Sequence, residues 1–384
     1  MTDKAAYTAR RVFDGEAVHE NAAVLVDGGR VSDIVPLNGI PSGYPVENLG
    51  TGLLSPGLVD LQVNGGGGLM LGDARTLDDL ASICAAHVPL GTTAMTPTLI
   101  TDTAETTRRI VALGVEAAAR GIPAFHGLHL EGPHLSVKRK GAHDAGLIRP
   151  MTAEDLAFYL EAARQLPSLM MTIAPETVTP EQVGALRTGG VHVSLGHTAA
   201  GYETCKRVAE AGATCVTHLF NAMSPLQHRE PGLVGAALDL GAFNAGLIAD
   251  GIHVDPVAVR VAMKSKRGPG RIFLVTDAMS QTGTNVTSFT LGGRTIHRQN
   301  GMLCLADGTL AGADIDLPAS LRFLCDVVGV DRCTALTMAT SRPADVIGLP
   351  VGRLKRNRAA DMVLLGADFT VKRVWLAGKV HWTR

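Results

Sequence analysis

Val191-His192-Val193-Ser194-Leu195-Gly196-His197-Thr198 decides the fold: a short, mostly apolar run closes on a glycine and then presents an imidazole. The construction recurs. His129-Leu130-Glu131-Gly132-Pro133 and Thr217-His218-Leu219-Phe220-Asn221-Ala222 set a carboxylate and a second imidazole straight after such runs, and Leu274-Val275-Thr276-Asp277-Ala278 ends another in a carboxylate. Metal-capable side chains at the ends of separate strands are how a barrel builds a metal centre. One carboxylate and two imidazoles form an open donor set of the catalytic kind, with a position left for water.

Eight apolar runs lie between Gly57 and Met279, at 58–63, 92–99, 125–130, 170–175, 191–196, 214–219, 245–249 and 271–276. Between most of them, Ala-, Leu-, Glu- and Arg-rich stretches predict helices, among them Thr101–Arg120, Thr152–Gln165, Pro180–Thr188 and Tyr202–Ala211. This alternation predicts parallel βα units closed into an α/β, (β/α)8 TIM-like barrel. Gln62 and Asn64, Glu131, His197, His218, Asp250 to His253 and Asp277 all fall at or just past the C-terminal ends of these runs. A doubly wound open sheet would gather its ligands at one topological switch, not from many strand ends.

The flanks have another texture. Tyr7–Gly15, Ala23–Val31, Asp361–Leu365 and Arg373–Val380 read as short strands joined by Gly or Asp turns. The expectation is a small β-sandwich domain built from residues 1–54 and 348–384 and interrupted by a barrel at 55–347.

Lys+Arg of 35 against Asp+Glu of 36 leaves a net charge of −1, which excludes the field needed for nonspecific nucleic-acid or acidic-membrane binding. A small-molecule partner fits better. Six cysteines without a Cys-x-x-Cys pair read as reduced thiols. The start Met1-Thr2-Asp3-Lys4-Ala5-Ala6-Tyr7 lacks the pattern of a signal peptide, and Gly232 to Ile248 is too interrupted to span a membrane, so a cytoplasmic protein is expected.

Taken singly, Glu131, His197 and His218 are strand-end polar residues of a kind often satisfied within a core. Falling on strands 3, 5 and 6 of one rim, they read together as ligands of a single divalent cation, with zinc the default and iron, cobalt or manganese the alternatives. Amides are poor ligands for such an ion, so Gln62 and Asn64 are expected to bond ligands or solvent. Asp277, on strand 8, reads as the general base, with a helix N-cap as the competing role. Arg229 follows Ser224-Pro225-Leu226-Gln227-His228 and suits either a phosphate or a surface ion pair. His253 reads as a phosphate contact in preference to a further ligand. Lys138-Arg139-Lys140-Gly141-Ala142, ahead of His143, has the look of a mobile lid, although solvated charge is the commoner meaning. Leu305 to Gly312 is a glycine-rich loop suited to close backbone approach and is no Walker A motif. His126, His129, His134 and His192 receive no ligand role; His129 is expected to support Glu131 or to point into the core.

Together these segments resemble the amidohydrolase superfamily, specifically its N-acetylglucosamine-6-phosphate deacetylases. The marks run nearly end to end: Pro56-Gly57-Leu58-Val59-Asp60-Leu61-Gln62-Val63-Asn64-Gly65, the Glu131, His197 and His218 segments, Lys140-Gly141-Ala142-His143, Arg229-Glu230-Pro231-Gly232, Ile248-Ala249-Asp250-Gly251-Ile252-His253 and Val275-Thr276-Asp277-Ala278. The resemblance implies a cytoplasmic homodimer that converts N-acetylglucosamine 6-phosphate to glucosamine 6-phosphate and acetate, in amino-sugar catabolism or wall recycling. By that resemblance Glu131, His197 and His218 hold one metal per subunit, and Asp277 is the catalytic acid/base. His143 polarises the acetamido carbonyl and contacts the sugar, while Asn221, Ala222 and His253 bind substrate. Arg229 is implied to reach the phosphate in the neighbouring subunit. Gln62-x-Asn64 stands where two-metal relatives carry His-x-His, which implies one metal. His134 stands where the lid commonly begins with an aromatic residue, which implies altered closure or sugar preference. A deacetylase for the galactosamine epimer, an amidohydrolase acting on a cyclic amide or nucleobase, and a noncatalytic sugar-phosphate sensor are the alternatives.

Overall fold

The computed structural model describes residues 4–384; Met1, Thr2 and Asp3 of the expected N-terminal segment lie outside the described residues. The barrel strands are β1 (Leu58–Val63), β2 (Thr92–Ile100), β3 (Leu128–Glu131), β4 (Leu169–Ile173), β5 (His192–Leu195), β6 (Cys215–Val216), β7 (Asn244–Leu247) and β8 (Ile272–Leu274). They pair in sequential order and all in parallel. Their residues are almost all buried, as strands covered on both faces must be. Closure between β1 and β8 is made at the rim. A parallel bridge joins Val63 to Ala278, Asp277 N–H donates to the Gln62 carbonyl at 3.0 Å, and Asn64 N–H donates to the Ala278 carbonyl at 2.7 Å.

All eight expected runs are strands, and six of them are shorter than expected. The third begins at Leu128 rather than at 125, and the sixth keeps only two residues. Beyond Val216 the chain cannot stay extended, because His218 (φ 29°), Phe220 (φ 80°) and Ala222 (φ 49°) all enter the left-handed region. Four of the covering helices, Ala104–Arg120, Ala153–Gln165, Pro180–Thr188 and Tyr202–Glu210, fall where the sequence places them. Local chemistry sets their starts. Thr103 caps the first, while Thr152 with Asp155 and Thr179 with Gln182 form reciprocal capping boxes on the next two.

Inside the barrel, beneath the rim, runs a polar chain. His129 Nδ1–H donates to the Leu61 carbonyl at 3.0 Å, its Nε2 meets Thr172 Oγ1 at 2.7 Å, and Thr172 and Ser194 each lie 2.6 Å from Thr217 Oγ1. Thus His129 supports the floor of the site. Burial pulls its pKa down to about 4, which keeps it neutral.

The terminal segments meet in one mixed sheet: Lys4–Phe13, Val18–Asp27, Arg30–Pro36, Val46–Asn48 and Leu53–Pro56 join Met362–Leu365, Val371–Leu376 and Lys379–Thr383. Lys4–Phe13 and Val371–Leu376 are three strands apart in that sheet, about 14 Å if it were flat, yet the Tyr7 and Trp375 rings lie 5.3 Å apart, edge to face. The sheet therefore folds over on itself, sandwich fashion, around Val24, Val26, Leu54, Met362 and Trp375. Backbone bonds from Val31 to Arg358 and from Ala360 to Gly29 join its far sides.

A third element was not expected. Ser288–Leu291, Arg294–Gln299, Met302–Cys304 and Leu310–Ala313 form a four-stranded antiparallel sheet inserted after β8. Its strands are short, its longest, Arg294–Gln299, is mostly polar, and it buries only a thin row that includes Leu291, Ile296, Leu303 and Ala311, so hydrophobic periodicity hides it. Gly292-Gly293, at φ 54° and 73°, supplies the hairpin turn that marks it. No helix among the described residues is long and apolar enough to cross a membrane.

Candidate metal centre and active site

Three strand ends bring the donor set together. Glu131 is the last residue of β3, two places beyond His129, so both side chains point into the barrel. His197 and His218 follow β5 and β6. Glu131 Oε1 lies 3.2 Å from Nε2 of His197 and 3.2 Å from Nε2 of His218, and the two Nε2 atoms are 3.0 Å apart. Ligands on a tetrahedral ion with bonds of 2.0–2.1 Å stand about 3.3 Å apart, so this triangle fits one face of such a site. The backbone bends to make it: His197 (φ 46°), His218 (φ 29°) and Asp277 (φ 53°) all sit in the left-handed region that non-glycine residues avoid.

Hydrogen bonds set the protonation of each group. His197 Nδ1 donates to the Arg139 carbonyl at 2.8 Å, which leaves the Nε2 lone pair facing the cluster. Burial alone would raise the Glu131 carboxyl, but the imidazoles of His197 and His218 at contact distance hold it well below the usual range, so it is ionised. For His218, burial lowers the pKa and the Glu131 carboxylate overcomes this, giving a net rise. Its buried Nδ1 has no hydrogen-bond partner. A carboxylate and two imidazoles crowded to contact distance are the donors a divalent cation takes, and the residues present fit it.

His143 also approaches: ligand atoms of Glu131, His143 and His197 lie within 4.8 Å of one another. Its tautomer argues for a different role. Thr101 N–H donates to His143 Nδ1 at 3.3 Å, and Thr101 Oγ1 lies 2.8 Å from the same atom, so the ring proton is on Nε2, 4.0 Å from Glu131. Burial, with His197 beside it, pushes its pKa down to about 3. His143 is thus a neutral N–H donor aimed at the cluster.

Asp277 is gripped through one oxygen. Asn64 Nδ2 donates to Oδ1 at 2.7 Å and Gln62 Nε2 donates to the same atom at 3.2 Å, while Gln62 also donates to Glu131 at 3.2 Å. Oδ2 stays free of these bonds. Burial and the neighbouring Glu131 charge raise the Asp277 pKa, opposed by His218 and Asn64. Below it, fully buried Asp60 accepts from Thr276 Oγ1 at 2.6 Å and ties β1 to the start of the Asp277 turn.

The cluster opens on a cavity of about 440 Å³ lined by His143, Asn221, Ala222, His253 and Asp277 together with Thr309 to Gly312. His253 is held by Asp250, whose Oδ2 lies 2.6 Å from its Nδ1. Lys138 and Arg139 reach this cavity from the one-turn segment Val137–Arg139, where the lid was expected. Arg229 and His228 are exposed and line neither this cavity nor its neighbour in their own chain. His134 packs away from the sugar side, with Nδ1 bonded to the Arg149 carbonyl at 2.9 Å and Nε2 to Tyr159 at 3.1 Å, so the departure there leaves the cavity wall unchanged. Sequence reasoning gave no role to Asp60 and Thr276, although both lie in quoted motifs, and missed Thr101 and, in the inserted sheet, Leu291, which lie in none. The glycine-rich stretch near Gly308 was the one signal for that wall.

A (β/α)8 barrel with a carboxylate–imidazole cluster and a second carboxylate at its C-terminal mouth defines a class of metal-dependent hydrolase barrels. The chain belongs to the amidohydrolase family, whose model matches residues 53–381. It is 40% identical over 337 residues to an N-acetylgalactosamine-6-phosphate deacetylase of a Shewanella species, covering 88% of this chain and 85% of that one. It is 32% identical to an N-acetylglucosamine-6-phosphate deacetylase of Haemophilus influenzae, covering 93% and 94%. Among solved structures, an N-acetylglucosamine-6-phosphate deacetylase from Pasteurella multocida superposes with a TM-score of 0.94 at 31% identity, covering 99% of this chain and all of that one. A variant of the Mycobacterium smegmatis deacetylase in complex with N-acetyl-D-glucosamine-6-phosphate superposes at 0.91 with 32% identity, covering 98% and 99%.

Proposed function

We propose that this chain hydrolyses the acetamide of N-acetyl-D-glucosamine 6-phosphate, releasing D-glucosamine 6-phosphate and acetate. The observation that carries the reading is that Asp277 and His143 line one cavity with the Glu131–His197–His218 triangle. A divalent ion held by that triangle, zinc by its donor chemistry, would supply Lewis acidity toward the carbonyl and lower the pKa of water. Asp277 Oδ2 takes the proton from the attacking water and returns it to the departing amine, while the amides of Asn64 and Gln62 hold Oδ1 as an acceptor. His143 donates its Nε2–H to the carbonyl oxygen as negative charge develops there.

Asn221, Ala222 and His253 serve the sugar phosphate on the far wall of the cavity. Arg229 is exposed and lines no wall of its own site, which supports a homodimer in which it reaches the phosphate bound by the neighbouring subunit. The relatives divide between gluco and galacto names, so the epimer at C4 is the point to test. Near-neutral charge and the substrate class favour a cytoplasmic enzyme of amino-sugar catabolism or cell-wall recycling.

The test is acetate release from N-acetylglucosamine 6-phosphate with and without a chelator, beside its galacto epimer and the unphosphorylated sugar. Chelator-sensitive release that requires the phosphate and favours the gluco sugar is expected. Release insensitive to chelator, or equal without phosphate, overturns the reading; a galacto preference moves it to the epimer.

A further inference from the structure

The catalytic cavity adjoins a second one at a window framed by residues that line both. Asn64, Ile100, Ala142, His143 and Leu291 line the catalytic cavity and also the second, of about 750 Å³. That second cavity touches none of Glu131, His197, His218, Asp277, Asn221 or His253. It runs from this window past Met70 and Thr98 to the hairpin Thr290–Arg294, where Arg294 donates to the Ala142 carbonyl and fixes the hairpin over the lid.

Direction follows from the chemistry. The attacked carbon must lie within reach of Asp277 and His143 Nε2, and its two substituents diverge from it. With the nitrogen and sugar directed toward Asn221, Ala222 and His253, the acyl substituent faces Asn64, Ile100 and His143, which frame the window. A methyl group needs little more than the volume of a water molecule, about 30 Å³, so the space beyond exceeds it more than tenfold. Ile100, Ala142 and Leu291 give the window an apolar edge suited to methylene groups.

Building on the deacetylase reading, we propose that the site is a general N-acyl hydrolase for hexosamine 6-phosphates, with the second cavity holding acyl chains longer than acetyl. The reaction is unchanged in balance. Water adds its oxygen to the acyl carbon, the C–N bond breaks, one water proton passes to the amine, and a carboxylic acid longer than acetic leaves.

The experiment compares kcat/KM for the N-acetyl, N-propionyl and N-butyryl forms of glucosamine 6-phosphate, read as release of the free amine. A closed methyl-sized slot discriminates by roughly 10- to 200-fold per methylene, whereas the open window predicts a butyryl rate within about tenfold of acetyl. Thr290→Trp and, independently, Ala145→Trp place an indole in the second cavity from exposed positions. Each is expected to lower butyryl turnover about fivefold or more and to leave acetyl turnover within about twofold. Rapid acetyl hydrolysis with butyryl slower by about a thousandfold overturns the proposal, as does an equal loss on all three substrates in both variants. Absence of turnover on every substrate instead overturns the deacetylase reading itself.

Discussion

The barrel mouth and the folded terminal sheet are built from the same residue types to opposite ends. In the terminal sheet, buried side chains are almost all apolar, Tyr7 packs edge to face on Trp375, and Gly28-Gly29 takes the tight turn at positive φ. At the mouth, positive φ falls on His197, His218 and Asp277, two carboxylates are buried within one hydrogen-bond network, and polar atoms such as Asn64 Oδ1 have no partner. The sheet contributes stability through burial; the mouth holds strain and charge that burial elsewhere must offset. The contrast is between a region that can lose atoms and still leave chemistry intact, and one that cannot.

The largest effect that sharpens this contrast is expected at Asp277. Asp277→Asn removes the proton carrier while keeping its volume, and turnover should fall by about three orders of magnitude with ion content and melting temperature nearly unchanged. Acetate release beside elemental analysis checks it, and turnover within about tenfold of wild type would remove Asp277 from the role.

Trp375→Ala is the mirror case. Loss of this fully buried ring should cost about 3–5 kcal/mol of stability, read in a denaturant titration, while the folded fraction keeps its ion and its kcat. If kcat fell in step with stability, the two regions would not be separable.

A smaller effect, in acid, joins the two. His87 is fully buried with Nε2 donating to the Gly65 carbonyl at 2.9 Å, and burial lowers its pKa to about 4, against about 6.5 in an unfolded chain. Between those values the unfolded state binds a proton that the folded state refuses. Its contribution is therefore complete above about pH 6.5 and declines as pH falls toward 4, by up to about 3 kcal/mol. His87→Gln, which keeps a donor to Gly65, should flatten the loss of melting temperature between pH 7 and pH 4.5; an unaltered slope would show that other groups govern it.

What the sequence discloses follows the same division. The strands were legible because parallel strands buried on both faces must be apolar, and the rim residues because each follows such a run: Glu131 after Leu130, His197 after Leu195, Asp277 after Leu274. The inserted sheet between Ser288 and Ala313 was not, since its strands are short and fewer than a third of their residues are buried. Partners such as Thr101 for His143, or Asp60 for Thr276, were hidden for another reason. Their meaning lies in which neighbouring strand they face, and pairing across 42 or 216 residues leaves no local trace.

The most direct measurement is the divalent-ion content of the purified chain, wild type against Glu131→Gln, with circular dichroism confirming that both are folded. The account predicts close to one ion per wild-type chain, lost on dialysis against chelator, and little in the folded variant. An undiminished ion content in Glu131→Gln would contradict it.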